Sequence, residues 1–450
     1  LIRFRIIYLY IFLLIGIQSS LAQNLTVSPY SRFGVGDLQF QGFARSIGMG
    51  QVAQGMRSNF NINPANPASY SRFTLTSFEA GMAASAGSLK TTTQKQQFST
   101  GSFSYLAMGF PLWAKHRVGA SFGLLPFSTV GYSLNYKQGY PGIDSSENIY
   151  QGRGGLSKFY VGIGKEFFKH LSIGANASYI FGQLNRKSGI YFPDSSVLFS
   201  RNENRNQYIG GLAYDAGLQY HIDFIDSSAI DSATGKKSLK HIYNLCVGAT
   251  TNLAANLGLT ESVYIYSLKY DPANRRYAPA DTIVGKESEA GTITIPIGFS
   301  AGAVFQEYEH FTIGLDYSTR NWTSYKGNGQ NETLSKQQKI SGGFSWIPKF
   351  SADLKGHYFS NIEYRMGGRF EQTYLILKGT QIKEQAISVG FGFPFKLERM
   401  QAKTERARLN IGVEYVQRGT TANDLLRENF ARFSVGVTFN ATWFQVRKIY

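Results

Sequence analysis

The chain holds a single cysteine, Cys246, in 450 residues. An internal disulfide is therefore excluded, and stability must come from backbone pairing and packing. Long apolar runs are equally scarce. Only residues 6–17 stay apolar, about a dozen positions where a membrane helix needs roughly 20, so no transmembrane helix is expected. Catalytic and metal signatures are missing too. The six histidines are scattered, no His-Glu-x-x-His helix occurs, and no serine sits in a nucleophile motif. Cys246 reads as facing neither the interior nor a partner. Gly162-Ile163-Gly164 falls inside an alternating stretch, where small inward residues explain it better than a phosphate loop. The reading is a non-enzyme with no cofactor and no metal. The formal charge is +17, yet no basic run with interleaved aromatics appears, so nucleic acid is not the expected partner. The basic clusters Lys236-Lys237, Lys396 to Arg408 and Arg447-Lys448 read as solvated rims facing anionic membrane lipids.

What is abundant is glycine and aromatic residues: 48 Gly, 34 Phe and 28 Tyr, with only 17% charged residues. The mean hydropathy is near zero, at −0.20. That balance suits strands with one greasy and one polar face. Period-2 alternation recurs after residue 72. Ile387, Val389, Phe391, Phe393 and Phe395 alternate with Ser388, Gly390 and Gly392. Phe311, Ile313, Leu315 and Tyr317 alternate with Thr312, Gly314, Asp316 and Ser318. Ile293, Ile295, Ile297 and Phe299 read as one apolar face. Successive strand residues point to opposite sides, so each segment has a lipid face and a lumen face. Apolar faces ending in Tyr208, Tyr220, Trp113, Trp322 and Trp346 suggest membrane-interface rings.

The fold class read from this pattern is all-β, a transmembrane antiparallel β-barrel of about fourteen strands with a small N-terminal plug. Strands are expected at 72–86, 97–111, 117–134, 155–167, 171–184, 206–223, 241–255, 291–306, 310–323, 337–348, 356–369, 380–396, 406–419 and 427–440. Short turns follow even-numbered strands. Longer loops around 135–154, 185–205, 256–290 and 324–336 follow odd-numbered ones, as in outer-membrane barrels. The connection 224–240 is long where a short one is expected. Tyr264 and Tyr266 read either as a cover for an outer groove or as a small loop hairpin. The last strand alternates Phe433, Val435, Val437 and Phe439, the kind of terminal strand that barrel-assembly machinery recognises. Residues 440–450 form a short extension, and Phe439 and Tyr450 both remain candidates for the terminal signal. Arg3, Arg5, the apolar run and Ser20-Leu21-Ala22 predict a signal peptide over 1–22. Export places the protein in the outer membrane of a Gram-negative bacterium.

Residues 23–71 do not alternate. They carry many glycines and then Asn63-Pro64-Ala65-Asn66-Pro67-Ala68-Ser69-Tyr70, where Asn-Pro pairs end regular structure. This segment reads as a plug inside the barrel 72–450. Arg45-Ser46-Ile47-Gly48-Met49-Gly50-Gln51-Val52-Ala53, followed by Asn66-Pro67-Ala68-Ser69-Tyr70, resembles the hatch of the FadL-type family of outer-membrane transporters for fatty acids and other hydrophobic compounds. The extra Asn63-Pro64-Ala65 departs from that pattern. The resemblance implies a plug motif at Asn66, Pro67 and Ala68. It also implies a third strand that kinks inward and opens the wall sideways. Leu125-Pro126-Phe127-Ser128 breaks the third strand's alternation, so Gly123, Pro126 and Gly131 are candidates for that opening. An ordinary bulge explains the break equally well.

Polar residues expected to face the lumen are Asp215, His221, Asp316, Glu363, Arg365 and Glu414, with Gln219, Asn361 and Arg432 beside them. Their expected role is to pair with one another or to anchor the plug. His221, with Asp215 and Asp223 on its strand, is the best place to look for a triad. The leading functional expectation is passive uptake of hydrophobic small molecules, gated by the plug and with a sideways exit. The alternative is a FadL-like barrel that docks a partner protein of a secretion or assembly system and moves no small molecule.

Overall fold

The computed structural model describes residues 26–140, 143–192, 198–225, 242–271, 276–308, 310–327, 333–349, 357–395 and 406–441. The signal-peptide expectation, the 224–240 connection beyond Ile225, most of the basic cluster 396–408 and nearly all of the 440–450 extension lie outside them. Seventeen strands follow in chain order. They are β1 (Asp37–Leu38), β2 (Thr76–Lys90), β3 (Lys95–Trp113), β4 (Val118–Tyr140), β5 (Ile143–Phe167), β6 (Leu171–Tyr191), β7 (Ser200–Ile225), β8 (Ile242–Asn252) and β9 (Ala255–Asp271). Then come β10 (Arg276–Ile295), β11 (Gly298–Glu307), β12 (Phe311–Asn321), β13 (Lys336–Trp346), β14 (Glu363–Leu377), β15 (Thr380–Phe395), β16 (Arg406–Gly419) and β17 (Arg427–Ala441).

Strands β2 to β17 form the wall, and β17 pairs antiparallel with β2 to close it. β8 and β9 follow one another along a single stave, as do β10 and β11, so the wall is a closed barrel of fourteen staves. Closure leaves a spanning sheet without a free outer edge, which hydrocarbon demands of a β-structure. The strand faces divide as amphipathic alternation requires. On β6, Ile173, Tyr179 and Phe181 are exposed while Ser172, Asn176 and Ser178 are buried. A fold with its greasy side out and its polar side in is built for lipid outside and a filled lumen inside. Exposed Trp113, Tyr208, Tyr220 and Trp346 lie on the outer surface.

Three sequence expectations are corrected. The stretches 135–154, 185–205 and 256–290 are largely strand, because β4 to β7 and the β9–β10 hairpin run far past the lipid-facing belt. The asymmetry between the two barrel ends is therefore one of strand length. Tyr264 and Tyr266 belong to that β9–β10 hairpin. Secondly, the barrel stave turns over at Pro296. Ile293 and Ile295 are buried, whereas Ile297 and Phe299 are exposed. The partner stave turns over at Leu253-Ala254, so Asn252 still faces Gly298 and Ala255 still faces Ile295. Proline cannot donate to the ladder, and a break there lets both staves exchange faces. Thirdly, Trp322 is fully buried rather than at the lipid interface. It stacks on Tyr374 at 4.6 Å and donates its indole N–H to Gln337 at 2.9 Å. A buried indole keeps its donor satisfied this way.

Candidate functional site: the plugged lumen and the wall seam

The segment from Ser28 to Phe73 occupies the lumen. It contains two 3₁₀ turns (Pro29–Arg32 and Pro67–Arg72), the two-residue β1 and one helical turn, Ala44–Ile47. Asn66 caps the second turn: its Oδ1 accepts from Ala68 N–H at 3.2 Å, and its Nδ2 donates to Gln54 O at 2.8 Å and Leu218 O at 3.3 Å. Pro67 fits the first position of that turn, where no amide hydrogen is needed. Ala68 is fully buried. Tyr70 donates to Asn176 at 3.1 Å. The asparagine thus ties two plug segments to each other and to β7, a role that proline and alanine beside it leave sterically open.

Glycines let plug and wall backbones touch. A Cβ on Gly119 would lie 1.9 Å from Tyr70 O, and one on Gly248 would lie 1.9 Å from Gln54 O. Any side chain there must push the plug away.

Charged and polar wall residues bolt the plug in place. Asp316 accepts the backbone N–H groups of Ala53 at 2.6 Å and Gln54 at 2.9 Å. Glu363 receives Arg45 of the plug at 3.1 Å, along with Arg365 at 2.7 Å and Arg408. Arg57 of the plug, fully buried against the wall, meets Glu166 of β5 at 2.5 Å and donates to Ser172 of β6 at 2.7 Å. Burial pushes its guanidinium pKa down, and the Glu166 carboxylate opposes that. Glu414 pairs within the wall, accepting from Arg369 at 2.8 Å and lying 3.3 Å from Arg432, and meets the plug through Gln51 at 3.5 Å. Arg418 joins Glu384 and also Asp37 of β1 at 3.0 Å. Ser28 donates to Glu428 at 2.5 Å.

The remaining candidates are buried in the wall interior. Asp215 accepts from Lys158 at 2.7 Å and Asn252 at 2.8 Å. His221 receives neither Asp215 nor Asp223, which instead accepts from Asn244 at 2.7 Å. The triad arrangement is therefore not assembled. Cys246 is paired opposite His221 and buried on the lumen side, which corrects its expected orientation. Gln219 donates to Gln54 O at 2.9 Å, and Asn361 is buried. Sequence reading missed Glu166, Glu384, Arg418 and Glu428. All sit at inward positions of alternating strands, so the signal was the same parity that marked Glu414.

Among the described residues two joints are incompletely paired: β10 meets the chain beyond β12 only at the Thr294–Lys326 bridge, and the other joint lies between β3 and β4. β3 pairs with β2 along its length, and β4 pairs with β5 along its length. Between β3 and β4, however, pairing stops at Leu106 and Leu124. Just above, Phe127 is an extra residue, since Pro126 faces Ser157 while Ser128 already faces Leu156. A one-residue bulge turns every later side chain over. Ser128, Val130 and Tyr132 consequently point inward and are buried. The plug covers the freed edge of β4. Asp37 and Leu38 pair with Thr129 and Ser128. Gln39 N–H donates to Phe127 O at 3.0 Å, Gln41 to Pro126 O at 3.0 Å, and Gly131 N–H to Ser31 Oγ at 3.1 Å. Pro126 and Gly131 flank this seam. Gly123 lies below it in continuous ladder, opposite Ala107 and Tyr160.

Behind the seam lies a chamber of about 250 Å³. Its lining mixes apolar residues such as Phe127, Ile180 and Ile295 with charged ones such as Lys158, Arg320, Arg369 and Glu384, and Lys158 and Ile180 are direct ladder partners. A packed apolar cluster including Leu156, Leu184, Leu257 and Trp322 is continuous with it, sharing Phe127, Ile180 and Ile295.

Comparison with solved structures finds this fold in the Pseudomonas putida toluene transporter TodX, at TM-score 0.54 and 15% identity, over 91% of this chain and 99% of that one. A Pseudomonas aeruginosa FadL homologue matches at TM-score 0.55 and 11% identity, over 90% and 98%. The Ralstonia pickettii toluene transporter TbuX matches at 0.53 and 12%, over 89% and 99%. At these identities the likeness is one of fold. No curated protein matches the sequence. The FadL-type resemblance thus holds for the architecture, while the family model that matches, over residues 3–450, is BamG, and the chain belongs to the BamG family.

Proposed function

We propose that this protein is an integral outer-membrane barrel of a Gram-negative bacterium that serves as a plugged accessory subunit of the barrel-assembly machinery and does not conduct small molecules. The observation that carries this reading is the chamber behind the seam, whose lining includes the buried ion pairs Lys158–Asp215, Arg369–Glu384 and Arg418–Asp37, the last of which also bolts the plug. A hydrocarbon passing there would have to displace paired charges, each costly to leave unpaired. Membership of a family whose name, BamG, carries a link to that machinery supports the same reading. The lipid-facing belt supports membrane insertion, and residues 1–22 act as the export signal in this reading.

A second reading has its own support. The interrupted β3–β4 joint, the bulge at Phe127 and the apolar cluster continuous with the chamber suit passage of small hydrophobic compounds, with a plug shift and a sideways exit at the third wall strand. The solved structures that share this fold include two described as toluene transporters.

One paired experiment separates them. The full chain, tagged and expressed from its own locus, is purified in mild detergent and its partners are quantified by mass spectrometry. In parallel, toluene entry is timed in cells with and without it. Stoichiometric recovery of barrel-assembly subunits with unchanged toluene entry is expected. Slower toluene entry in deleted cells, restored by the native chain but not by Pro126→Val, together with no stoichiometric partner, would replace this proposal with the second reading.

A further inference from the structure

At the long-strand end of the lumen lies a separate cavity of about 310 Å³, whose lining includes Arg32, Tyr132, Tyr150, Arg186 and Arg205, together with one carboxylate, Glu203, which is paired with Arg205 and Arg201. That volume is at the lower end of the roughly 300–1,000 Å³ range of small-molecule sites. Its charge arrangement is unusual for a wall. Arg186 of β6 stands directly opposite Arg205 of β7 in the ladder. Like charges in that position repel and destabilise a sheet.

The two arginines are not equally compensated. Arg205 meets Glu261 at 3.0 Å and Glu203 at 3.2 Å. Arg186 has no carboxylate partner among the described residues. It donates to Gln207 at 2.5 Å and to Gly34 O at 2.8 Å, which fixes its guanidinium, and its Nε is buried without a partner. Arg32 comes from the plug. Its guanidinium lies over the Tyr150 ring, 4.3 Å from the centroid, again with no carboxylate among the described residues. Tyr136 extends the aromatic side by stacking on Tyr150. Two uncompensated guanidinium groups, one from the plug and one from the wall, therefore face a cavity with an aromatic side.

We propose that this cavity is a binding site for a small oxyanion, a carboxylate or phosphate, carried on an aromatic or short apolar body. The anion would take charge-assisted hydrogen bonds from Arg186 and Arg32, and so relieve the Arg186–Arg205 repulsion. The ring would lie against Tyr132 and Tyr150. Because Arg32 belongs to the plug and Arg186 to the wall, an occupied site also ties the two together. The site is lumenal and lies at the long-strand end. Its ligand is thus a solute from that side, and it does not depend on whether the seam serves a partner protein or a passenger.

The test is isothermal titration of the full-length protein in an uncharged detergent, with benzoate, inorganic phosphate and benzyl alcohol as probes. Benzoate is expected to bind at one site and to be displaced by phosphate. Arg32→Gln and Arg186→Gln should each weaken benzoate about tenfold or more, the loss of one charge-assisted hydrogen bond. Arg32→Gln lies on a half-exposed plug turn, so it tests the site even if Arg186→Gln fails to assemble. Benzyl alcohol should show no saturable binding. The proposal is overturned if benzoate does not saturate, if phosphate fails to displace it, if benzyl alcohol binds as well as benzoate, or if assembled Arg32→Gln protein binds benzoate as the native chain does.

Discussion

Asp37 and Arg418 connect the wall seam to β16, four strands away around the barrel: the Asp37 Oδ1 lies 3.0 Å from Arg418 Nη1, while the backbone of Asp37 pairs with Thr129 on the freed edge of β4. One plug residue thus covers the joint with its main chain and is held from behind by its side chain. Arg418 is shared with Glu384 and Glu428, so the two partners differ in what their loss would leave behind.

Removing each partner separately should reveal that difference. Asp37→Asn keeps a polar acceptor and leaves Arg418 with two carboxylates, so a loss of about 1–2 kcal/mol is expected. Arg418→Gln removes the one cation shared by three carboxylates, leaving Glu384 with Arg369, Glu428 with the Ser28 hydroxyl and Asp37 without its ion pair, with an expected loss of about 3–5 kcal/mol. The readout is the temperature at which the folded barrel loses its compact migration in detergent gels. Equal shifts for the two variants would contradict the shared-arginine geometry.

The close approach of plug and wall can be tested at glycines. Gly248→Ala and Gly119→Ala place a methyl where only backbone fits, 1.9 Å from a plug carbonyl. The wall should still assemble, because its ladder is unaffected, but the plug should sit loosely and the barrel should leak ions in planar bilayers. Gly101→Ala meets nothing within 4 Å and serves as the control. Leak from Gly101→Ala at the same level would remove the steric explanation.

The open joint predicts a pattern of crosslinks. Phe110 and Ala120 are ladder partners, so cysteines at both should form a disulfide on mild oxidation. Cysteines at Ser102 and Ser128 would face each other if that ladder continued upward, but the joint is interrupted there. A disulfide requires Cα atoms within about 7 Å, so none should form. Efficient Ser102–Ser128 crosslinking in whole cells would mean that the wall is continuous in the membrane.

Orientation follows from the two barrel ends. Cysteines at Thr92 and Gly379, in turns at the long-strand end, should react with a membrane-impermeant thiol reagent on intact cells. Cysteines at Lys115 and Lys169, in the turns at the other end, should react only after the outer membrane is breached. The native Cys246 is buried and should stay silent in both cases. The opposite labelling pattern would invert the barrel.

Much of this fold was legible in the chain because a barrel is a periodic object. Parity alone sorted Leu315 and Ile387 outward and Asp316 and Glu414 inward, since a closed sheet between lipid and a filled lumen tolerates no other assignment. Parity failed wherever the chain skipped a beat. Ile293 and Ile295 look identical to Ile297 and Phe299 in sequence, and only the face exchange at Pro296, matched at Leu253-Ala254 on the partner stave, separates them. Trp322 was misread because an aromatic at a strand end suits both a lipid interface and a lumen roof, and the deciding contact, Tyr374, is 52 positions away.

The sequence by itself determined the class: one thiol, no helix-length apolar run and recurrent two-residue alternation leave little besides a spanning barrel, and the Asn66-Pro67-Ala68 turn lies just ahead of the first alternating strand. Tertiary structure alone decided the partnerships. Whether Glu363 holds Arg45, whether Asp37 reaches Arg418, and whether the bulge at Phe127 leaves a joint that the plug then covers all depend on groups brought together from distant parts of the chain. Ion pairs and close backbone contacts act over a few ångströms in space, and residue order carries no direct record of such distances.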